Sequence, residues 1–259
     1  MLRSLTTTSA NTASGRLPYP NLTAALSVPF TRKSLTEIRA ALTSAAEDYP
    51  TAADPKEGHA AVLIPLCNVN DQPGILLELR GKLRKHSGEV SFPGGRVDPV
   101  DGTFTATALR ETREEIGILP DQVEILGRLG PPQLSLSGLR VWPFVGFIHA
   151  KRWRRYETSG DIEAPLSSLR MDSLTPSQSE VAAAFHLPLA VAATPARLKV
   201  DHFRGGQAYW AVDVSDLIKG APQIQPSHTS GKGPKERVEV WGITGWYLFL
   251  FMKALKIYE

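Results

Sequence analysis

The sequence predicts an α+β or α/β sandwich, with strands and a few helices mixed along one chain. Three observations carry that expectation. A hairpin pattern spans His59 to Arg80, a helical stretch runs from Thr103 to Ile116, and strand-like runs flank that helix on both sides. Composition agrees: 259 residues, 42% hydrophobic and 21% charged, fit a folded domain and not a disordered or fibrous chain. The count of one cysteine excludes a disulfide framework and any multi-cysteine zinc or iron–sulfur site. A net charge of +3 is too mild to point to a nucleic-acid polymer. No apolar run reaches the roughly 18 residues of a membrane-spanning helix.

Taken in order, residues 1–33 read as a lead-in, either disordered or targeting. The first acidic residue is Glu37, while Arg3, Arg16, Arg32 and Lys33 precede it among many Ser and Thr. Such a start is what an organelle transit peptide looks like, so a mitochondrial address is favoured, with peroxisomal and cytosolic placement as alternatives. Ser34 with Glu37 reads as a capping box that opens a helix to about Ala46. From His59 an apolar run forms a strand, Asp71 to Gly74 turn the chain, and Ile75 to Arg80 return. Val90–Phe92 is a short strand before Pro93-Gly94-Gly95. Thr103–Ile116 is helical and closed by Gly117. Strands follow at Val123–Leu129 and Val141–His149. Lys151–Ser179 is polar and reads as a loop, with strands again at Leu198–Phe203 and Gln207–Val212. A Pro/Gly/Ser/Lys-rich loop then leads to a last helix over about Thr244–Ile257.

The chemistry concentrates between Gly94 and Ile118. At about 100° per residue, Glu111, Glu114 and Glu115 fall within an arc of about 100° on one helix. Carboxylates so close repel one another, and a hard divalent cation such as Mg²⁺ or Mn²⁺ relieves that repulsion. An acidic helix face taken alone is equally what a plain solvated helix presents. Pro93-Gly94-Gly95 ahead of the helix allows a sharp turn and close approach of backbone to an anion.

The whole segment, from Gly95 through Asp101 and Arg110-Glu111-Thr112-Arg113-Glu114-Glu115-Ile116-Gly117-Ile118, resembles the box of the Nudix hydrolases. Asp101 stands where that box has its first glutamate, the distance from it to Arg110 is one residue longer than usual, and Thr112 occupies an aliphatic position. The Asp101 and spacing departures are similar to the coenzyme A diphosphatase branch. So is the stretch upstream, Leu76-Leu77-Glu78-Leu79-Arg80 through Arg84-Lys85-His86 to Phe92-Pro93-Gly94-Gly95, although Glu78 and Gly81 replace the branch's Thr and Ser. The likeness covers about residues 34–257.

The resemblance implies a Nudix fold over residues 34–259, a mixed β-sheet sandwiched between helices. It implies a Mg²⁺- or Mn²⁺-dependent diphosphatase that cleaves coenzyme A or acyl-coenzyme A to 3′,5′-ADP and 4′-phosphopantetheine or its acyl form. Glu111, Glu115 and Glu114 would be the metal ligands, Arg110 would hold them, and Glu111 or a later-loop Glu180 would act as base. Arg80, Arg84, Lys85, Gly94 and Gly95 would bind substrate. Oxidised dGTP or ADP-ribose are the alternative substrates, since Pro131 and Pro132 fall near where ADP-ribose relatives carry a downstream proline. A non-catalytic binding module is the alternative of another class, although such modules usually lose box glutamates. The zinc-bearing NADH-cleaving branch is disfavoured by the single cysteine.

Overall fold

A computed structural model of the chain describes residues 26–46, 58–81, 88–152, 161–218 and 237–258. Strand β1 (His59–Val69) is apolar along most of its length and buried on both faces, as a central strand must be. Asn70 and Asp71, with φ of 49° and 58°, turn the chain into β2 (Gln72–Arg80). Both residue types tolerate positive φ, so the turn closes earlier than the expected Asp71–Gly74.

β1 and β2 pair antiparallel over Leu66–Val69 and then diverge, which opens a fork in the sheet. Two short strands fill it. β3 (Val90–Ser91) pairs with β2, and β4 (Gly94–Arg96) pairs with Ala60–Val62 of β1. β5 (Val123–Arg128) and β6 (Gln133–Leu134) pair with β7 (Arg140–Ile148), which lies parallel to β1. β8 (Val181–Pro188) pairs antiparallel with β2 and completes an eight-stranded mixed sheet. A second, three-stranded antiparallel sheet holds β9 (Leu198–Phe203), β10 (Gln207–Asp213) and β11 (Glu239–Val240).

Four helices complete the described residues: α1 (Arg32–Ala46), α2 (Phe104–Ile116), the single-turn α3 (Leu189–Ala192) and α4 (Gly242–Ala254). One face of the large sheet packs on α2 through Leu63, Cys67, Leu76, Ala108 and Ile116. The other packs on α1 and α4 through Leu42, Leu126, Phe147, Leu248 and Phe251. The expected α-β-α sandwich is therefore the observed architecture. Among the described residues, no helix is long and apolar enough to cross a membrane.

Three expectations change. The folded unit begins before residue 34: Leu26 and Phe30 are buried, the Phe30 N–H donates to Asn68 Oδ1 at 2.7 Å, and its ring meets Phe147 edge-on. Isolated apolar residues in a polar segment carry no periodicity, which hid them. The helix cap is Thr31, not Ser34: the Ser34 N–H donates to Thr31 Oγ1 and the Thr31 N–H to Ser34 Oγ, a reciprocal box one turn earlier. Residues 181–188, to which the sequence pattern assigns no strand, form β8. The run Ala182-Ala183-Ala184 favours helix locally, but the open edge of β2 supplies a ladder of partners. Residues 1–25 lie outside the described residues.

Candidate active site

The fork between β1 and β2 builds the site, because it lets β4 lie directly under α2. Helix α2 is well specified. Thr103 accepts the Ala106 N–H at 3.0 Å, and Gly117 ends the helix at φ 80° with its N–H on Arg113 O. A Cβ at Gly117 would collide with the Thr175 hydroxyl. Thr112 at the aliphatic box position is buried and returns its hydroxyl to Ala108 O at 2.6 Å, so the polar residue is satisfied within the helix.

Glu111 and Glu115, one turn apart, face the sheet, and Glu114 flanks them in solvent. Glu115 is 3% exposed and its Oε2 accepts the Gly94 N–H at 2.7 Å. Gly95 lies against Glu111 so closely that a Cβ there would sit 2.5 Å from the carboxylate. The two glycines thus let a strand approach the carboxylates, a requirement that any side chain at Gly95 would break.

Arg110 organises the acidic end. Its Nε and Nη2 donate to the two oxygens of Asp101 at 2.8 and 3.0 Å, and its Nη1 stands 2.9 Å from both Glu111 Oε1 and Glu114 Oε2. Nη2 also donates to Arg96 O. Asp101 accepts further bonds from Thr107 Oγ1 and the Asp98 N–H. The Arg110 hydrogen bonds hold the Asp101 carboxyl well below its ordinary range, and Asp101 in turn raises Arg110 above its own. The substitution at the first box position therefore keeps a carboxylate whose task is to hold Arg110.

The buried carboxylates are shifted the other way. Burial first, then the charge of Glu78, raises Glu115 above the ordinary carboxylate value. Burial also raises Glu111, with Glu114 and Glu180 adding repulsion against the attraction of Arg110. Glu78, on β2, is raised by burial, and the charges of Glu180 and Glu111 add to it while Ser91 and Arg80 oppose. Glu180, which ends the loop before β8, is thus within electrostatic reach of both Glu78 and Glu111; its carbonyl accepts the Gly81 N–H at 2.6 Å. Among the described residues, no three such side chains stand already converged as a metal site. The donor set nevertheless fits a divalent cation: hard oxygen ligands, crowded, mostly buried and with more negative charge than Arg80 and Arg110 neutralise.

Beside this cluster opens a cavity of about 580 Å³. Its lining includes Arg80 and, from the strand that touches Glu111 and Glu115, Gly94 and Gly95, together with Leu134, Leu136, Phe203, Trp241 and Ile243. The Arg80 Nε is buried and has no hydrogen-bond acceptor among the described residues. Arg84 and Lys85 lie outside the described residues. The sequence reading placed Glu111, Glu115, Arg110, Arg80, Gly94 and Gly95 at one locus, and the fold brings them together. It missed Glu78 as a member. The available signal was a charge inside the run Ile75-Leu76-Leu77-Glu78-Leu79, where an apolar residue is the norm.

A model of the NUDIX domain matches residues 57–157. A Salmonella paratyphi B protein named "Uncharacterized Nudix hydrolase NudL" is 40% identical over 153 residues, covering 58% of this chain and 68% of the relative; the Salmonella newport protein of the same name matches equally. The chain belongs to the Nudix hydrolase family. Among solved structures, the NUDIX domain of Shewanella oneidensis NrtR complexed with ADP ribose has a TM-score of 0.37 and 18% identity, covering 57% of this chain and 83% of that one. An Ap4A hydrolase from C. elegans has a TM-score of 0.36 and 20% identity, covering 50% and 80%. Within the Nudix hydrolase described here, the matched span contains every box residue from Asp101 to Gly117 and the glycines beneath them.

Proposed function

We propose that this Nudix hydrolase is a coenzyme A diphosphatase, splitting coenzyme A or acyl-coenzyme A into 3′,5′-ADP and 4′-phosphopantetheine or its acyl form. One observation carries the reading: a cavity of about 580 Å³ is lined both by Arg80 and the Gly94-Gly95 strand that touches the carboxylates and by apolar side chains such as Leu134, Leu136, Phe203 and Ile243. A substrate with a pyrophosphate at its centre and a long, weakly polar arm suits that shape.

Glu111 and Glu115, with Glu114 at the rim, would hold Mg²⁺ or Mn²⁺. The cation, when bound, supplies neutralisation of charge on the phosphoryl oxygens. Glu111 takes the proton of the attacking water, with Glu180 as the alternative base. The water oxygen bonds to phosphorus as the bridging P–O bond breaks, and the departing half leaves as a phosphate monoester. Arg110 keeps Glu111 and Glu114 oriented while Asp101 keeps Arg110 oriented. Arg80 presents its Nε to a phosphate oxygen, a bond that adds direction as well as charge. Arg84 and Lys85, in the segment between β2 and β3, are the cations for the separate 3′-phosphate.

ADP-ribose is the competing substrate, because Pro131 and Pro132 lead directly into β6, whose Leu134 lines the cavity. The test is kcat/KM with Mg²⁺ on coenzyme A, dephospho-coenzyme A, ADP-ribose and oxidised dGTP. The proposal expects coenzyme A to lead, by about 10- to 150-fold over the dephospho form if one Arg–phosphate pair is lost. Faster turnover of ADP-ribose or oxidised dGTP would overturn it.

A further inference from the structure

Glu78 lies outside the box, on β2, with β3 and β4 between it and α2 in the chain, yet it belongs to the same carboxylate cluster. It is 1% exposed. Its alternation along β2 puts it on the face of Leu76, the face that packs against Ala108 and Ile116 of α2. Cross-strand partners Ser91 on β3 and Ala184 on β8 fix it in the middle of the sheet rather than at a yielding edge.

Its two oxygens are treated unequally. Oε1 accepts the Ser91 hydroxyl at 2.9 Å and stands 3.7 Å from Arg80 Nη1. Oε2 is buried and has no hydrogen-bond partner among the described residues. A buried carboxylate oxygen left without a donor is a cost that folded chains rarely carry without a compensating ligand. A purely structural carboxylate would use both oxygens, and Ser91 alone would satisfy a shorter, neutral residue. Arg80 stands beside Oε1, and the other charged neighbours that act on Glu78, namely Glu111, Glu115 and Glu180, are acidic, so the group that suits Oε2 is a second cation.

We propose that Glu78 is an additional ligand of the divalent cation, joining Glu111 and Glu115 from the opposite side, across the fork in the sheet. The inference rests on the reading that this cluster holds Mg²⁺ or Mn²⁺. It adds to the ligands carried by α2 one carried by β2, so that cation binding ties the helix to the strand that also bears Arg80. Loading the metal would then position the phosphate-facing guanidinium as well as the carboxylates.

The experiment is a titration of the full chain with Mn²⁺ alone, free Mn²⁺ being read by electron paramagnetic resonance, with thermal melting in the absence of metal recorded in parallel. Glu78→Gln is expected to weaken Mn²⁺ binding at least 10-fold while melting no lower than the parent, because a buried charge has been removed. Glu78→Asp, which keeps the charge on a shorter arm, is expected to fall between the two. An affinity within 2-fold of the parent for Glu78→Gln, with a lowered melting temperature, would make Glu78 structural and overturn the proposal. Should Glu78→Gln not fold, Glu78→Asp decides: an unchanged Mn²⁺ affinity overturns the proposal and a weakened one sustains it. A parent that binds no Mn²⁺ would instead overturn the metal reading of the whole cluster, and this proposal with it.

Discussion

Replacing Asp101 with alanine tests the frame that holds the acidic helix. The change removes both acceptors of the Arg110 fork, at 2.8 and 3.0 Å, and the acceptor of Thr107 Oγ1 and the Asp98 N–H. Asp101 is 3% exposed in its side chain and Arg110 26%, so solvent replaces these bonds only in part. Charge-assisted bonds of this kind contribute roughly 1.5–3 kcal/mol, and about 2–3 kcal/mol is a reasonable loss for the pair. At roughly 2–4 °C per kcal/mol for a domain of this size, the melting temperature should fall by about 5–10 °C. A second effect follows from geometry. Freed from Asp101, the guanidinium keeps Glu111 and Glu114 as its partners, both already 2.9 Å away, and competes with a cation for them. The Mg²⁺ concentration for half-maximal activity should rise by on the order of 10-fold, as for other groups that orient metal ligands. Differential scanning calorimetry and a Mg²⁺ activation curve measure the two effects. A melting temperature unchanged within about 2 °C, together with an unchanged activation curve, would refute the view that Asp101 holds Arg110 in place.

Glu115→Gln should leave the fold intact and lose about 2 kcal/mol of transition-state stabilisation, roughly 30-fold in kcat; an unchanged rate at saturating Mg²⁺ would remove Glu115 from the site. Glu78, Glu111 and Glu115 are all raised in the folded chain, so the folded state binds more protons than the unfolded one above the ordinary carboxylate value of 4.5. Metal-free stability should therefore fall as pH rises from about 4.5 upward, and Mg²⁺ should restore it more at pH 8 than at pH 5. Melting curves at the two pH values, with and without Mg²⁺, check this; stability rising with pH in metal-free protein would contradict it. Deleting residues 1–25 should leave melting and activity unchanged, whereas Phe30→Ala should cost about 3 kcal/mol, since Phe30 is buried against Phe147. Equal tolerance of both changes would place the start of the folded unit later than Leu26.

The helix carrying the box was readable almost to the residue, because its signals are local: Thr103 caps it, Gly117 ends it and the glutamates lie at helical spacing between them. The strands β1, β5, β7, β9 and β10 were readable for a similar reason, as apolar runs bounded by turn residues. What escaped depends on partners distant in sequence. β8 exists because the edge of β2 is open to it, and its alanines alone argue for helix. β4 has three residues and is a strand only because β1 diverges from β2. Leu26 is buried in the core, and Phe30 is tied to it by Asn68, 38 residues further along the chain. The same reason hid Glu78. Its sequence neighbours announce a buried strand, and its membership of the site appears only when β2 takes its place in the sheet whose face packs on α2.

The most direct measurement of the central claim is the product analysis of coenzyme A incubated with the purified chain. With Mg²⁺ present, the account predicts stoichiometric 3′,5′-ADP and 4′-phosphopantetheine, formed by the parent protein and largely lost in Glu115→Gln. The absence of these products at saturating Mg²⁺, or their formation at the same rate by Glu115→Gln, would contradict it.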